Sequence, residues 1–256
     1  MDDIQEDSRN QTILKRLIGF PRQIAALFVE PSRLFSCLTG KMDWLIPFLV
    51  VAVLGGLVNY ATRPIFAKDM YPIAIKSVEK YKSQIGEEEY QKIVSKIDAG
   101  FAEAQENPFK WYYIFTWLLY PLIVMTVISL IGMITGNFIF GGKANFWIIM
   151  NVVAFGALIG LLGDMARAIM ILSKDTMYIY TGMGLLKSNN DGSFIYYLLR
   201  QIDLFSIWRV IVTAIGLGGI YNMKPRRFYF VLVPLWLLFV IFIAFANSFI
   251  GGTIVY

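Results

Sequence analysis

The chain of 256 residues contains no histidine and a single cysteine, Cys37. The first absence removes the side chain that most often serves as general base near neutral pH, and with it any zinc site of Cys/His type. The second excludes an intrachain disulfide, and together they exclude a Cys–His nucleophile pair. Charge is also scarce: 16% of residues are Asp, Glu, Lys or Arg, against ~25% in ordinary soluble domains. The formal net charge of +5 is small, and no Lys/Arg cluster forms the footprint of a nucleic-acid binder. The chain is instead rich in apolar residues, 57% of the total, gathered in runs of about twenty that are long enough to cross a bilayer. Such runs recur throughout, which favours one integral membrane domain over several soluble ones. The amino terminus is acidic (Asp2, Asp3, Glu6, Asp7) and the first long apolar run begins only at Trp44. No cleavable signal peptide is expected.

The pattern predicts an all-α integral membrane bundle of five transmembrane helices. The spans are expected at about residues 44–62, 111–138, 145–171, 204–222 and 228–249, followed by a tail at 250–256. Residues 1–43 form an amphipathic arm: Ile13/Leu14, Leu17/Ile18, Ile24 and Leu27/Phe28 recur at helical spacing between Arg9, Lys15, Arg16, Arg22 and Arg33, with breaks at Pro21 and Pro31. A basic amphipathic stretch lies on a membrane surface or packs on the protein's own spans, and the pattern fits both. Residues 63–110 hold eight basic and eight acidic residues and are expected to form an external helical hairpin. Its first helix would run from Pro64 to Lys82, Gly86 would turn the chain, and Glu87-Glu88-Glu89 would open the second, where the helix dipole favours anions. The apolar piece Met177–Leu186 is too short to cross and reads as interfacial or re-entrant. A further helix starts at Ser193 and continues through Asp203 as the fourth span. Small residues spaced by four, Gly132/Gly136 and Gly156/Gly160, would permit close helix approach.

Basic residues in the short segments fall on one side: the arm, Lys143, and Lys224/Arg226/Arg227. The positive-inside tendency therefore puts the N-terminus in the cytoplasm and, after five spans, the C-terminus outside.

The stretch Arg200–Arg209 places an acid, an aromatic and two arginines at the mouth of a glycine-rich apolar helix. Ionisable groups just inside a span are costly without a partner and are functional candidates by default. Asp164, Arg167, Asp203 and Arg209 make up such an intramembrane cluster. Trp208 and Arg200 are candidate interface anchors. In the alternative, Arg200 and Asp203, three apart on one helical face, pair with each other. Direction of travel suggests further pairs. The third span runs outward, so Asp164 is deeper than Arg167 by about 4.5 Å; the fourth runs inward, so Arg209 is deeper than Asp203 by about 9 Å. Matching depths would pair Asp164 with Arg209, and Arg167 with Asp203 or its neighbouring backbone. Otherwise the arginines snorkel separately to headgroups.

Several stretches resemble the Ypt-interacting protein (Yip) domain family of five-span membrane proteins. They are Pro31-Ser-Arg-Leu-Phe35 before Trp44-x-x-Pro47, Gly141-Gly142-x-x-x-Phe146, Gly182-x-Gly-Leu-Leu186, and Ile202-Asp-Leu-Phe-Ser-Ile-Trp208 running into Ile215-Gly-Leu217. The resemblance rests on their order and spacing together and covers roughly residues 31–248. Eukaryotic members of the family are associated with Rab-type GTPases and vesicle traffic through a long cytosolic N-terminus. The short N-terminal segment and the long loop 63–110 resemble the prokaryotic branch instead, so Rab binding does not carry over. The family offers no catalytic residue to transfer.

The leading expectation is a non-enzymatic multi-pass protein of the prokaryotic cytoplasmic membrane that binds or organises membrane lipids or other membrane proteins. No metal, cofactor or nucleic acid is expected. A small-solute, ion or lipid transporter or channel, acting as a homo-oligomer, is the second reading, favoured by the charges near spans. A carboxylate-using membrane enzyme, with Asp164 or Asp203 as base, is the third. A packed, dry interior favours the first; a hydrated path faced by Asp164 favours the second.

Overall fold

The computed structural model describes residues 19–186 and 193–250. Helices follow one another without a strand among these residues. In order they are α1 (19–29), α2 (Pro31–Cys37), α3 (Leu45–Glu79), α4 (Lys82–Ile85), α5 (Glu87–Glu106), α6 (Tyr113–Met133), α7 (Phe146–Lys174), α8 (Phe194–Arg200), α9 (Leu204–Ile220) and α10 (Pro225–Ile250). A π-helical turn, Ile134–Ile139, extends α6, and a 3₁₀ turn covers Met183–Leu186. The arm's first eighteen residues and the tail from 251 lie outside the described residues.

Four helical segments are long and apolar enough to cross a membrane: Leu45–Glu79, Tyr113–Ile139, Phe146–Lys174 and Pro225–Phe249. A fifth arises if α8 and α9, bent by 59° at their junction, count as one span. Here the structure departs from the expected continuous helix. Gln201, Ile202 and Asp203 interrupt it, and α9 alone, at about 26 Å, falls short of the ~30 Å hydrocarbon core. Ser193 does open α8, its hydroxyl accepting from the Tyr196 N–H at 3.2 Å. The 35-residue α3 is a second departure: the expected break before Pro64 is absent, and both Pro64 and Pro72 lie inside the helix. Each proline forfeits one backbone bond.

The chain divides into two compact units. One comprises the residues up to Val50, Leu122–Leu158 and Arg209–Val233; the other comprises Val51–Pro121, Ile159–Trp208 and the residues from Pro234 on.

In the first unit the early part of α7 is fully enclosed: Ile149, Met150, Val152, Ala154 and Phe155 are buried. Glycines bring α9 against it. A Cβ at Gly216 would lie 2.5 Å from Val152 and 2.9 Å from Phe35 of α2, and one at Gly156 would lie 2.9 Å from the Thr213 hydroxyl. The described part of the arm packs one face on this unit, with Leu27, Leu34 and Phe35 buried and Phe20 6.2 Å from Phe155. Val29 and Arg33 remain exposed. Asn137 in the π turn closes the next connection: its Oδ1 accepts from Ala144 N–H (3.0 Å) and the Tyr221 hydroxyl (2.8 Å). The Tyr221 ring lies where a Cβ on Gly136 would be, 2.0 Å away.

In the second unit the later half of α3 and α5 form a hairpin through Gly86, which has φ +80. Tyr71 packs on Phe101 at 4.9 Å and its hydroxyl donates to Asp98 at 2.7 Å, while Gln105 donates to the Pro64 carbonyl. The same stretch of α3 is fastened to the segment after α7. Lys68 bonds the carbonyl and the carboxylate of Asp175. The Asp69 carboxylate accepts from the Thr176 hydroxyl (2.8 Å) and the Met177 N–H (2.7 Å). These contacts brace the stretch of α3 that contains Pro64 and Pro72. Of the pair Gly55-Gly56, Gly56 makes the close approach, with Trp117 lying 2.3 Å from where its Cβ would be.

Candidate functional site

The break between α8 and α9 is where the charged residues gather. Asp203 is the N-cap of α9: its Oδ1 accepts from the N–H groups of Phe205 (2.7 Å) and Ser206 (2.9 Å), while the Ser206 hydroxyl accepts from the Asp203 N–H at 3.3 Å. This reciprocal arrangement is a capping box, and it satisfies backbone donors that a helix start otherwise leaves bare. It also separates Arg200 from Asp203. The first ends α8 and the second caps α9, so they do not share one helical face as the i,i+3 pairing requires.

Arg200 turns instead toward tyrosines. Its guanidinium carbon lies 4.9 Å from the ring centre of Tyr180, 5.6 Å from Tyr196 and 5.9 Å from Tyr197. The three tyrosines are buried with Ala244 of α10 in one cluster, and the hydroxyls of Tyr180 and Tyr196 bond each other. Arg167 approaches the same Tyr180 ring from α7, at 6.0 Å. A cation over an aromatic face gains about 0.5–2 kcal/mol, the upper end when desolvated. Together the two distances put the guanidinium carbons no more than about 11 Å apart, where like charges repel by roughly 1.5 kcal/mol at an effective dielectric of ~20.

The segment that carries Tyr180 is held in place by glycines. A Cβ on Gly182 would fall 2.2 Å from the Ile202 carbonyl oxygen, and one on Gly184 would fall 2.7 Å from Tyr180. The Met183 N–H donates to that Ile202 carbonyl at 2.9 Å. Beside this segment Tyr178 donates to the Asp69 carbonyl (3.4 Å), and burial, then the nearby Asp69 carboxylate, raises its hydroxyl above the ordinary tyrosine range.

Asp164, Arg167, Arg200 and Asp203 thus belong to one unit, with Arg167 within electrostatic reach of the other three. Asp164 is exposed on α7. Arg209 belongs to the other unit, where its stem lies beside Gly156 and its carbonyl accepts from the Thr213 hydroxyl at 2.7 Å. Trp208 is half-buried, and its indole N–H is enclosed with no hydrogen-bond partner among the described residues. The residues missed from sequence are Tyr180, Tyr196 and Tyr197. The available signal was two tyrosine-bearing segments, at 178–180 and 196–197, that both precede Arg200. No three Cys, Asp or Glu side chains among the described residues come together as a metal-holding group.

Long apolar helices packed on one another through glycines define a multi-pass helical membrane protein. Compared with protein-family models, with curated proteins and with solved structures, the chain matches none.

Proposed function

We propose that the chain is a non-enzymatic membrane protein of the Yip-domain type that binds or organises other membrane proteins or lipids. It would lie in a prokaryotic cytoplasmic membrane with its N-terminus inside and its C-terminus outside. The observation that carries this reading is that the motif residues behind the resemblance serve packing. Phe35 meets Gly216, Gly182 meets the backbone of Ile202 and Asp203, and Trp44 stacks on Trp147 at 5.9 Å. Asp203 spends its carboxylate on a helix start. The best-formed cavities among the described residues are open surface grooves, one between α1 and α2 and one beside the α9–α10 turn. The early part of α7, by contrast, is solidly enclosed. An enclosed early α7 and an Asp203 carboxylate committed to a helix start suit a scaffold better than a conduit.

Photo-crosslinking amino acids at Ile123 and Phe242, both exposed apolar positions, test the reading in native membranes. A discrete adduct with a membrane-protein partner or a second copy is expected at one of them, together with no solute or ion flux in proteoliposomes. Saturable flux that Arg167→Gln abolishes would overturn the proposal in favour of a transporter.

A further inference from the structure

We propose that the groove beside the α9–α10 turn holds the headgroup of an anionic phospholipid. The inference goes beyond the scaffold reading and needs only the multi-pass membrane fold. Three observations carry it. The first is the make-up of the groove, an open cavity of about 430 Å³ between Ser32 of α2, Ile215 and Gly219 of α9, and the turn residues Asn222, Met223 and Lys224. Ile215 and Met223 give it an apolar wall, while Ser32, Asn222 and Lys224 are exposed and bring a hydroxyl, an amide and an ammonium. Gly219 keeps it open, since a Cβ there would meet nothing within 4 Å. An apolar wall with a few convergent polar groups suits an amphiphile.

Second, the charge at the groove is positive and exposed. An Arg227 guanidinium nitrogen lies 3.8 Å from the sulfur of Met223, which brings this cation to the rim alongside Lys224. Arg226, between them in sequence, lies over the Phe230 ring at 5.4 Å. All three cations are exposed, and none enters an ion pair among the described residues. The acids among the described residues of this unit are Glu30 and Asp43, and both are engaged elsewhere. Glu30 pairs with Arg33 at 3.2 Å, and Asp43 accepts from the Gly40 N–H at 2.8 Å. An ammonium and a guanidinium fork, with a hydroxyl and an amide beside them, match the several acceptor oxygens of a phosphate.

Third, the depth is that of headgroups. The 26 residues of α10 make a helix ~39 Å long at 1.5 Å per residue. A bilayer with its headgroup layers measures ~40–45 Å, so the helix reaches from one headgroup layer to the other. Lys224 and Arg227, at its start, therefore stand at phosphate level, with the apolar wall of the groove toward the end of α9. What lies beside the groove at that level is a lipid, and its charge complement is an anionic one.

Full-length protein in nonionic detergent is offered dioleoyl phosphatidylglycerol or dioleoyl phosphatidylcholine, whose choline cancels the phosphate charge, and retention is read by native mass spectrometry. Phosphatidylglycerol should be retained over phosphatidylcholine. Each basic residue near an anionic headgroup contributes a factor of ~5 in binding, so Lys224→Gln/Arg227→Gln should weaken that retention about 20-fold. Gly219→Leu, which fills open space in the groove and leaves its charge untouched, should abolish the preference. Lys96→Gln, at an exposed lysine of α5 in the other unit, should leave it unchanged. If the double variant fails to fold, Lys224→Gln decides, with a loss of about fivefold expected. Equal retention of the two lipids overturns the proposal. So does phosphatidylglycerol retention that Gly219→Leu leaves intact, which marks a diffuse attraction to surface charge. A dimer that Gly219→Leu dissolves overturns it too, giving the groove to a second copy. The crosslinking and flux tests do not read lipid retention, so either proposal can fail alone.

Discussion

Asp203 offers the sharpest test of how charge is used here, because two substitutions separate its roles. Asn caps a helix as well as Asp does, but carries no charge. Asp203→Asn should therefore keep the bonds to Phe205 and Ser206, at 2.7 and 2.9 Å, and lose the carboxylate's interaction with the helix dipole and with neighbouring cations. These charge effects are modest, so the expected loss is about 0.3–1 kcal/mol. Asp203→Ala removes the cap as well. Helix N-caps are worth about 0.5–2 kcal/mol, and at a half-buried position with both donors pointed inward the loss should fall at about 1–2 kcal/mol. Unfolding in mixed micelles with increasing dodecyl sulfate gives both differences against the unsubstituted protein. Equal losses for Asp203→Asn and Asp203→Ala would refute the capping account and restore an ion pair as the residue's main role.

Gly182→Ala should be strongly destabilising, by about 2–4 kcal/mol in the same assay, since the new methyl meets backbone atoms of Ile202 and Asp203 at 2.2 and 2.6 Å and the loop must shift, taking the Met183–Ile202 bond with it. Gly55→Ala, where nothing lies within 4 Å, is the control and should be neutral or stabilising by up to about 1 kcal/mol; equal effects at the two positions would disprove the close approach. For topology, single cysteines at Ser8, Ser95 and Thr253 in a Cys37-free background should react with an impermeant thiol reagent from outside at Ser95 and Thr253 only. Labelling at Ser8, or protection at Ser95, would reverse the proposed orientation.

Much of the architecture could be read from residue order, because bilayer thickness imposes length on apolar runs and leaves them visible. The Gly86 turn and the Ser193 cap were visible for the same reason, as local chemistry with local consequences. The continuity of α3 was not. Pro64 looks like the start of a new helix when only neighbours are considered, and contacts from α5 and residues 175–178, up to 109 positions away, brace the continuous one. The break at Gln201–Asp203 was written in the sequence as Asp-x-x-Ser, a capping box. It was obscured because Arg200 and Asp203 at i,i+3 also fit an ion pair on one uninterrupted helix. Spacing alone assigns both meanings, and the backbone decides between them. The tyrosine cluster was invisible for another reason. Tyr180 and Tyr196 are 16 residues apart across a 3₁₀ turn, and no periodicity links them.

The break between α8 and α9 explains why Arg167 and Arg200 meet at Tyr180. Irregular backbone at membrane depth survives only where its freed polar groups find partners. Here the partners can be counted from the residues themselves. The Gln201 and Ile202 N–H groups close back onto Leu198 and Leu199, and the Ile202 carbonyl takes the Met183 N–H. Asp203 and Ser206 satisfy each other and the first turn of α9. With that backbone satisfied, the 59° bend needs no help from the arginines. Had the helix continued straight, Arg200 would have been one more residue on the face of a span. The bend instead ends α8 at Arg200 and sets its guanidinium against Tyr180, the ring that Arg167 also approaches. The charges are therefore a consequence of the break and not its cause.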